Sequence, residues 1–388
     1  MGPLKGKRII ELAGIGPGPF ACMMLADMGA EVITIDRKAA QIHLPPKDPT
    51  LRNRKSIAIN LKSAEGIELV LQLCEKADAL VEGYRPGVIE RLGLGSDILL
   101  KRNPKIILGR MTGWGQDGPL AQSVGHDINY ISINGVLEKM GRRGQKPTPP
   151  LNLVGDYGGG GMMLAFGVVC AMLEAQSSGK GQVIDAAMID GSAALMAYLY
   201  GFETNPFYQP YKERDNHLFG GNNHFYNTYE TQDGKYVSVG PLEGHFYLEL
   251  IERLGKDKEI FINEWLGCPD ADISKFPELE KKMQEIFITK TRDEWVKIFE
   301  GSNACFAPVL TFAEAQQHPH ITARQTFVTI DGTVQAAPSP RFSRTQADMP
   351  QRPRMAGEDT QVILHDILQL DTSRIDGLIA NGVVESLS

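Results

Sequence analysis

Residues 7–36 carry the pattern that most restricts the fold. A strand over Lys7–Leu12 leads into the Gly/Pro loop AGIGPGPF, then a helix over Ala21–Met28 closed by Gly29, then a strand over Glu31–Asp36. Strand and helix alternating at this spacing indicate a parallel α/β unit. The alternation continues down the chain. Apolar spacing predicts a helix over Ala64–Lys76, a short strand over Ala79–Glu82, a helix over Val88–Leu92 and a strand over Lys105–Met111. Gly161–Gln176 is an apolar run rich in Gly and Ala, too long for a strand, and reads as a buried, closely packed helix. Gln182–Ala187 follows as a strand and Ile189–Tyr200 as a helix.

The texture then changes. Residues 201–224 are polar and aromatic with many turn formers, and read as a linker. Residues 225–330 open with a hairpin pattern, Phe225–Glu230 and Lys235–Val239 around QDG, and go on to helical segments rich in Lys and Glu. They read as a second, smaller domain after a large domain over 1–200. Residues 335–354 are Pro- and Arg-rich, and 358–388 end in short helices. At 388 residues, 42% hydrophobic, the chain has material for two cores.

The net charge of −7 argues against general nucleic-acid binding, though not against a small polyanion met by local basic residues. The five cysteines lack paired spacing and suit a reducing compartment better than disulfides or zinc. No run approaches the ~20 uninterrupted apolar residues of a membrane span. MGPLKGKRIIELAGIG does not read as a signal peptide, and VVESLS is not a clear peroxisomal address. The expectation is a cytoplasmic protein with no membrane partner.

Gly14 and Gly16 follow a strand, and Asp36 lies 20 residues beyond Gly16, as in dinucleotide folds. Pro17 and Pro19 remove two of the amides on which pyrophosphate binding relies, so the loop fits a Rossmann-like turn serving another ligand. Basic residues recur at element ends: Arg37, Arg52, Arg54, Lys55, Lys62, Arg85 and Arg91. Each alone reads as a surface charge; together they suggest a polyphosphate ligand at the carboxyl edge of the sheet. GHDINY sets His126 beside Asp127, and GDYGGGGM sets Asp156 before four glycines. Asp156 reads either as a helix N-cap or as an acid beside exposed amides able to stabilise an oxyanion. With His126 it would suit proton transfer next to a carbonyl. The other histidines show no metal-ligand spacing.

Several longer motifs resemble the class III CoA-transferase family (CaiB/BaiF), and within it the α-methylacyl-CoA racemases. They are ELAGIGPGP, EGYRPGVIERLGLG, RMTGWGQDGP, GHDINYISINGVL, PPLNLVGDYGGGGM and SSGKGQVIDAAMIDG, with SPRFSRT from Ser339 an approximate match. The resemblance covers nearly the whole chain. The GHD histidine points to the racemases, where transferases usually carry an aromatic. It implies an α/β fold with a Rossmann-like large domain, a smaller α+β domain, a C-terminal return of residues 331–388 to the large domain, and an interlocked-ring homodimer. It implies racemisation of 2-methylacyl-CoA thioesters through an enolate, with the CoA thioester as substrate and no cofactor or metal. His126 and Asp156 would be the acid/base pair and Glu243 the support for His126. In a transferase, the Asp156 position would instead carry the acyl group. Contacts to CoA would come from Arg37, Ile59, Asn60, Leu61, Lys62, Gly83, Tyr84, Arg85 and Arg91, with Gly125, Asp127, Ile128, Asn129 and Tyr130 at the pantetheine end. FGGNNHFY at 219–226 and LEGHFY at 242–247 depart from the family pattern and put the acyl specificity in question, with His224 or His245 as possible partners for a polar acyl group.

Overall fold

Neighbouring residues of the first strand point to opposite faces of its sheet, and both faces are buried. Ile9 enters one hydrophobic cluster and Ile10 another. A strand of this kind needs helices on both sides, which is the condition for a parallel sheet. The computed structural model describes residues 2–40, 45–255 and 258–387. In it β1 (Arg8–Leu12), β2 (Glu31–Asp36), β3 (Arg54–Ile59), β4 (Ala79–Glu82), β5 (Ile107–Thr112) and β6 (Val183–Ala187) form one sheet in the order 3-2-1-4-5-6. All these pairings are parallel, and Val384–Glu385 adds an antiparallel strand beside β3. On one face Ile10, Ile33 and Ile57 meet the helix Ala64–Glu75 and the C-terminal residues Ile363 and Leu378. On the other, Ile9, Val32 and Val81 meet the helices Pro17–Asp27 and Met163–Ser178.

The chain divides into two compact units. One holds the residues up to Asn134, Leu151–Leu195 and everything from Arg324 onward. The other holds Gly135–Pro150 and Met196–Ala323. The segment expected as a linker belongs to the second core: Phe202, Tyr211 and Leu218 are buried with Tyr229, Tyr247, Phe276 and Trp295. Its polar, turn-rich composition hid these anchors. The same unit contains the hairpin Asn227–Glu230 and Tyr236–Val239, extended by Phe306–Val309 into an antiparallel sheet. His224 is fully buried there, with Nε2 2.9 Å from the Tyr247 hydroxyl, and burial lowers its pKa to about 3. That makes it an aromatic-core residue rather than a contact for an acyl group.

The glycines of GDYGGGGM do not lie ahead of a helix. Leu153–Met162 is itself a wide π-helical stretch running directly into Met163–Ser178. Together they form one helix of 26 residues, long and apolar enough to cross a membrane by length and composition, with half of its most apolar stretch buried inside the fold. A count of uninterrupted apolar residues missed it because the glycines and Asp156 break the run. Its buried side is packed as a core helix on the sheet. The glycines serve close packing: a Cβ on Gly159 would lie 2.4 Å from the Ser192 backbone nitrogen, and one on Gly191 1.8 Å from the Gly159 carbonyl oxygen. Both obstacles are backbone and cannot rotate away. Gly191→Ala is therefore expected to destabilise the protein by about 1–3 kcal/mol, read as a lower urea midpoint at unchanged slope.

Candidate active site

Strand order reverses between β1 and β4, and ligands of open α/β sheets bind outside the carboxyl ends of the strands at such a point. A cleft of about 510 Å³ opens there. Its walls are the loop after β1, from Ala13 to Pro19, the turn after β4, from Gly83 to Pro86, and the loop after β5 that ends at His126. Beneath it lie Met111 and Met188.

Two buried ion pairs hold these loops. The Arg54 guanidinium donates to Glu11 and to the Pro19 carbonyl, tying the Gly/Pro loop to β1 and β3. Arg110 Nε donates to Glu82 at 2.9 Å, and Glu82 accepts the Tyr84 N–H at 2.6 Å, which sets the GYRP turn. Arg54 is thus an internal support, not a surface charge for phosphate. Arg52 likewise is buried against Asp27, and Lys55 pairs with Glu31 at 2.7 Å. The exposed guanidiniums at the cleft are Arg37 and Arg85. Arg37 lies over the Tyr84 ring, 5.7 Å from its centroid. Planar cations so placed suit a phosphate better than a ribose hydroxyl. Asp36, the residue matching a ribose-binding acid, instead accepts the Ser56 hydroxyl at 2.6 Å.

His126 is exposed at the cleft wall, just ahead of the helix Asp127–Ile133, and its own N–H donates to Asn129 Oδ1 at 3.0 Å. Asp156 lines the same cleft from the π-helical turn, half-buried, and accepts Asn152 Nδ2 at 3.2 Å. It is not an N-cap. Burial raises its carboxyl pKa, offset by the Asn152 hydrogen bond and the nearby His126, and reinforced by the Asp127 charge. Tyr130 packs edge-on against Trp114, ring centroids 4.8 Å apart, and its hydroxyl donates to the Gly125 carbonyl. Burial, then Asp156 and Asp127, raises the Tyr130 pKa. Gly159, Gly160 and Gly161 are buried against Pro17, Phe20, Met188 and Gly191, so they do not offer amides to the cleft.

The remaining residues singled out by motif divide between the cleft and its surroundings. Gly83, Tyr84, Arg85, Gly125 and Tyr130 line the cleft. Ile59 is buried in the sheet core, and Asn60, Leu61 and Lys62 continue from the carboxyl end of β3, on the same sheet edge. Arg91 is exposed on the short helix Val88–Arg91, its guanidinium beside Gly87 rather than on the cleft wall. Ile128 and Asn129 are exposed on the helix after His126, and Asp127 is buried. Glu243 is exposed in the second unit at the start of the helix Gly244–Leu254. There its charge adds to burial in pushing the Cys305 thiol up. Motif reading missed Asn152, Trp114 and Glu82. Asn152, four residues before Asp156, was visible only as spacing.

The model of CoA-transferase family III matches residues 4–360. The chain belongs to this family. A curated family relative, the alpha-methylacyl-CoA racemase of Mus musculus, is 42% identical over 393 residues, covering 97% of this chain and 99% of that protein. The racemase of Homo sapiens is 38% identical, over 96% of this chain and 97% of its own length. A succinyl-CoA:glutarate CoA-transferase from Homo sapiens is 27% identical, over 99% of this chain and 90% of its own. Among solved family structures, a CAIB/BAIF family protein from Brucella suis has TM-score 0.78 at 23% identity, covering 94% of this chain and 99% of that one, a likeness of fold. Among the described residues no group of three or more His, Cys, Asp or Glu is gathered to hold a metal.

Proposed function

We propose that this chain interconverts (R)- and (S)-2-methylacyl-CoA by 1,1-proton transfer at the α-carbon. The observation that carries the reading is the shared cleft: an imidazole and a half-buried carboxyl at a sheet edge that also presents Arg37 and Arg85. The identity to the two racemases supports the substrate class. In one direction neutral His126 takes the α-proton, the thioester becomes an enolate, and protonated Asp156 returns a proton to the opposite face. Charged His126 and ionised Asp156 then begin the reverse direction. The pair holds one proton before and after the reaction, and a second, taken from the α-carbon, while the enolate exists. Burial raises the Asp156 carboxyl pKa, which makes its protonated, proton-donating form easier to reach.

In this reading the protein is a cytoplasmic, interlocked homodimer, and Glu243 of the partner's second unit supports His126. A carboxylate there would fix the imidazole tautomer and stabilise its charged form. Arg37, Arg85, Arg91 and residues 59–62 would hold the nucleotide end, and Gly125, Ile128, Asn129 and Tyr130 the pantetheine end. No cofactor or metal takes part in the proton transfer.

One experiment tests the core claim. One enantiomer of a 2-methylacyl-CoA is incubated with the protein in deuterated water. The stereocentre is expected to scramble while deuterium enters the α-position. Neither event across several acyl chains would end the racemase reading. CoA passing to an added dicarboxylic acid would favour the transferase.

A further inference from the structure

Asp127 follows His126 in the chain, yet it is buried and does not line the cleft. Its Oδ2 accepts the N–H of Asp156 at 2.7 Å. Gly155 makes that approach possible, since a Cβ there would lie 2.5 Å from the same oxygen. Its other oxygen, Oδ1, is buried with no hydrogen-bond partner among the described residues, and no Lys or Arg among them pairs with it. A buried carboxylate so poorly compensated is costly. Simple helix capping does not explain it, because a neutral acceptor would hold the N–H as well.

We propose that Asp127 is a positioning residue for the proton transfer, fixing the backbone of Asp156 and setting the electrostatic environment of its carboxyl group. The inference rests on Asp156 being one of the two acid–base groups. The N–H anchor sets where the Asp156 side chain leaves the π-helical turn. The like charge favours the protonated form, adding to the effect of burial. The charged and titratable groups facing Asp156 are Asp127 and His126, with the Tyr130 phenol beside them. The other elements packed on this turn meet it with uncharged residues: Pro17 and Phe20 from one helix, Met188, Gly191 and Ser192 from another.

The test compares wild type with Asp127→Asn, Asp127→Ala and Asp156→Asn, each assayed with both enantiomers over a range of pH. Asp127→Asn keeps an acceptor for the Asp156 N–H and removes the charge. The Asp156 pKa then falls, so the limb of kcat/KM that reports it moves to lower pH in both directions, with KM unchanged. Asp127→Ala also loses the anchor, and kcat drops by about 100-fold, the scale of a small misplacement of a reacting group. Most of that loss is regained in Asp127→Asn. If the Asp127→Asn profile superimposes on wild type, the electrostatic role is overturned; if Asp127→Ala also keeps kcat while Asp156→Asn is inactive, the positioning role falls with it and Asp156 keeps its place. If Asp156→Asn remains fully active, the acid–base assignment itself fails.

Discussion

His126→Ala is expected to reduce α-proton exchange by about 10²–10⁴-fold, the usual contribution of a positioned acid or base. The loss should fall on kcat, with the affinity for the CoA thioester little changed. The structure gives the reason for that split. The His126 side chain is exposed at the cleft wall, and its hydrogen bond to Asn129 is made by the backbone N–H, which alanine retains. Helix start and loop should therefore survive the change. Arg37 and Arg85 are untouched. Two measurements suffice: deuterium incorporation from each enantiomer, and thioester binding by calorimetry. Full exchange in the variant would remove His126 from the reaction. Loss of binding with kcat retained would make it a substrate contact instead. Asp156→Ala would be the lethal change, and His126→Ala the mild one, if the chain were a transferase.

Arg52→Met should destabilise the first unit by about 3–5 kcal/mol, the range for breaking a buried pair by removing one partner. Both side chains of the Arg52–Asp27 pair are 3% exposed. Arg52 Nε donates to Asp27 Oδ1 at 3.1 Å, while Nη1 donates to Gln335 Oε1 at 2.8 Å and to the Ala336 carbonyl at 2.7 Å. One guanidinium thus joins the first crossover helix to the C-terminal hairpin, Phe327–Ile330 with Thr333–Ala336. Methionine would leave Asp27 with Asn53 alone, at 2.6 Å. Urea unfolding would report the loss, and hydrogen exchange should rise first in residues 327–336. An unchanged midpoint would show that water or Asn53 replaces the pairing.

Much of the first unit could be read directly from the chain. Strand and helix periodicities around the first Gly/Pro loop are local, and local patterns imply a parallel, doubly covered sheet with its ligand cleft at the strand ends. Placing β3 took more than pattern, since RKSIAI opens with two charges that are neutralised only by Glu11 and Glu31 in the folded sheet. His126, Asp156, Arg37 and Arg85 stood out by motif, and they share one cleft. Arg52 and Arg54 had the same signature in the sequence as the phosphate candidates, because a sequence does not say which cation will find an internal carboxylate.

From the chain alone came the layout of the α/β unit and the motifs that carry His126, Asp156, Arg37 and Arg85. Tertiary structure decided their environments. It drew 196–224 into the second unit through the buried Phe202, Tyr211 and Leu218, and 135–150 through hydrogen bonds from Arg142 and Arg143 to the Gly221 and Asn222 carbonyls. It packed Gly159, Gly160 and Gly161, expected as exposed amides, tightly against Pro17, Phe20, Met188 and the Gly191–Ser192 backbone. It also set Asp127 beneath Asp156, where burial and like charge raise an acid that would otherwise ionise freely. Hydrogen-bond partners and desolvation depend on which distant segments meet, and no local pattern encodes that meeting.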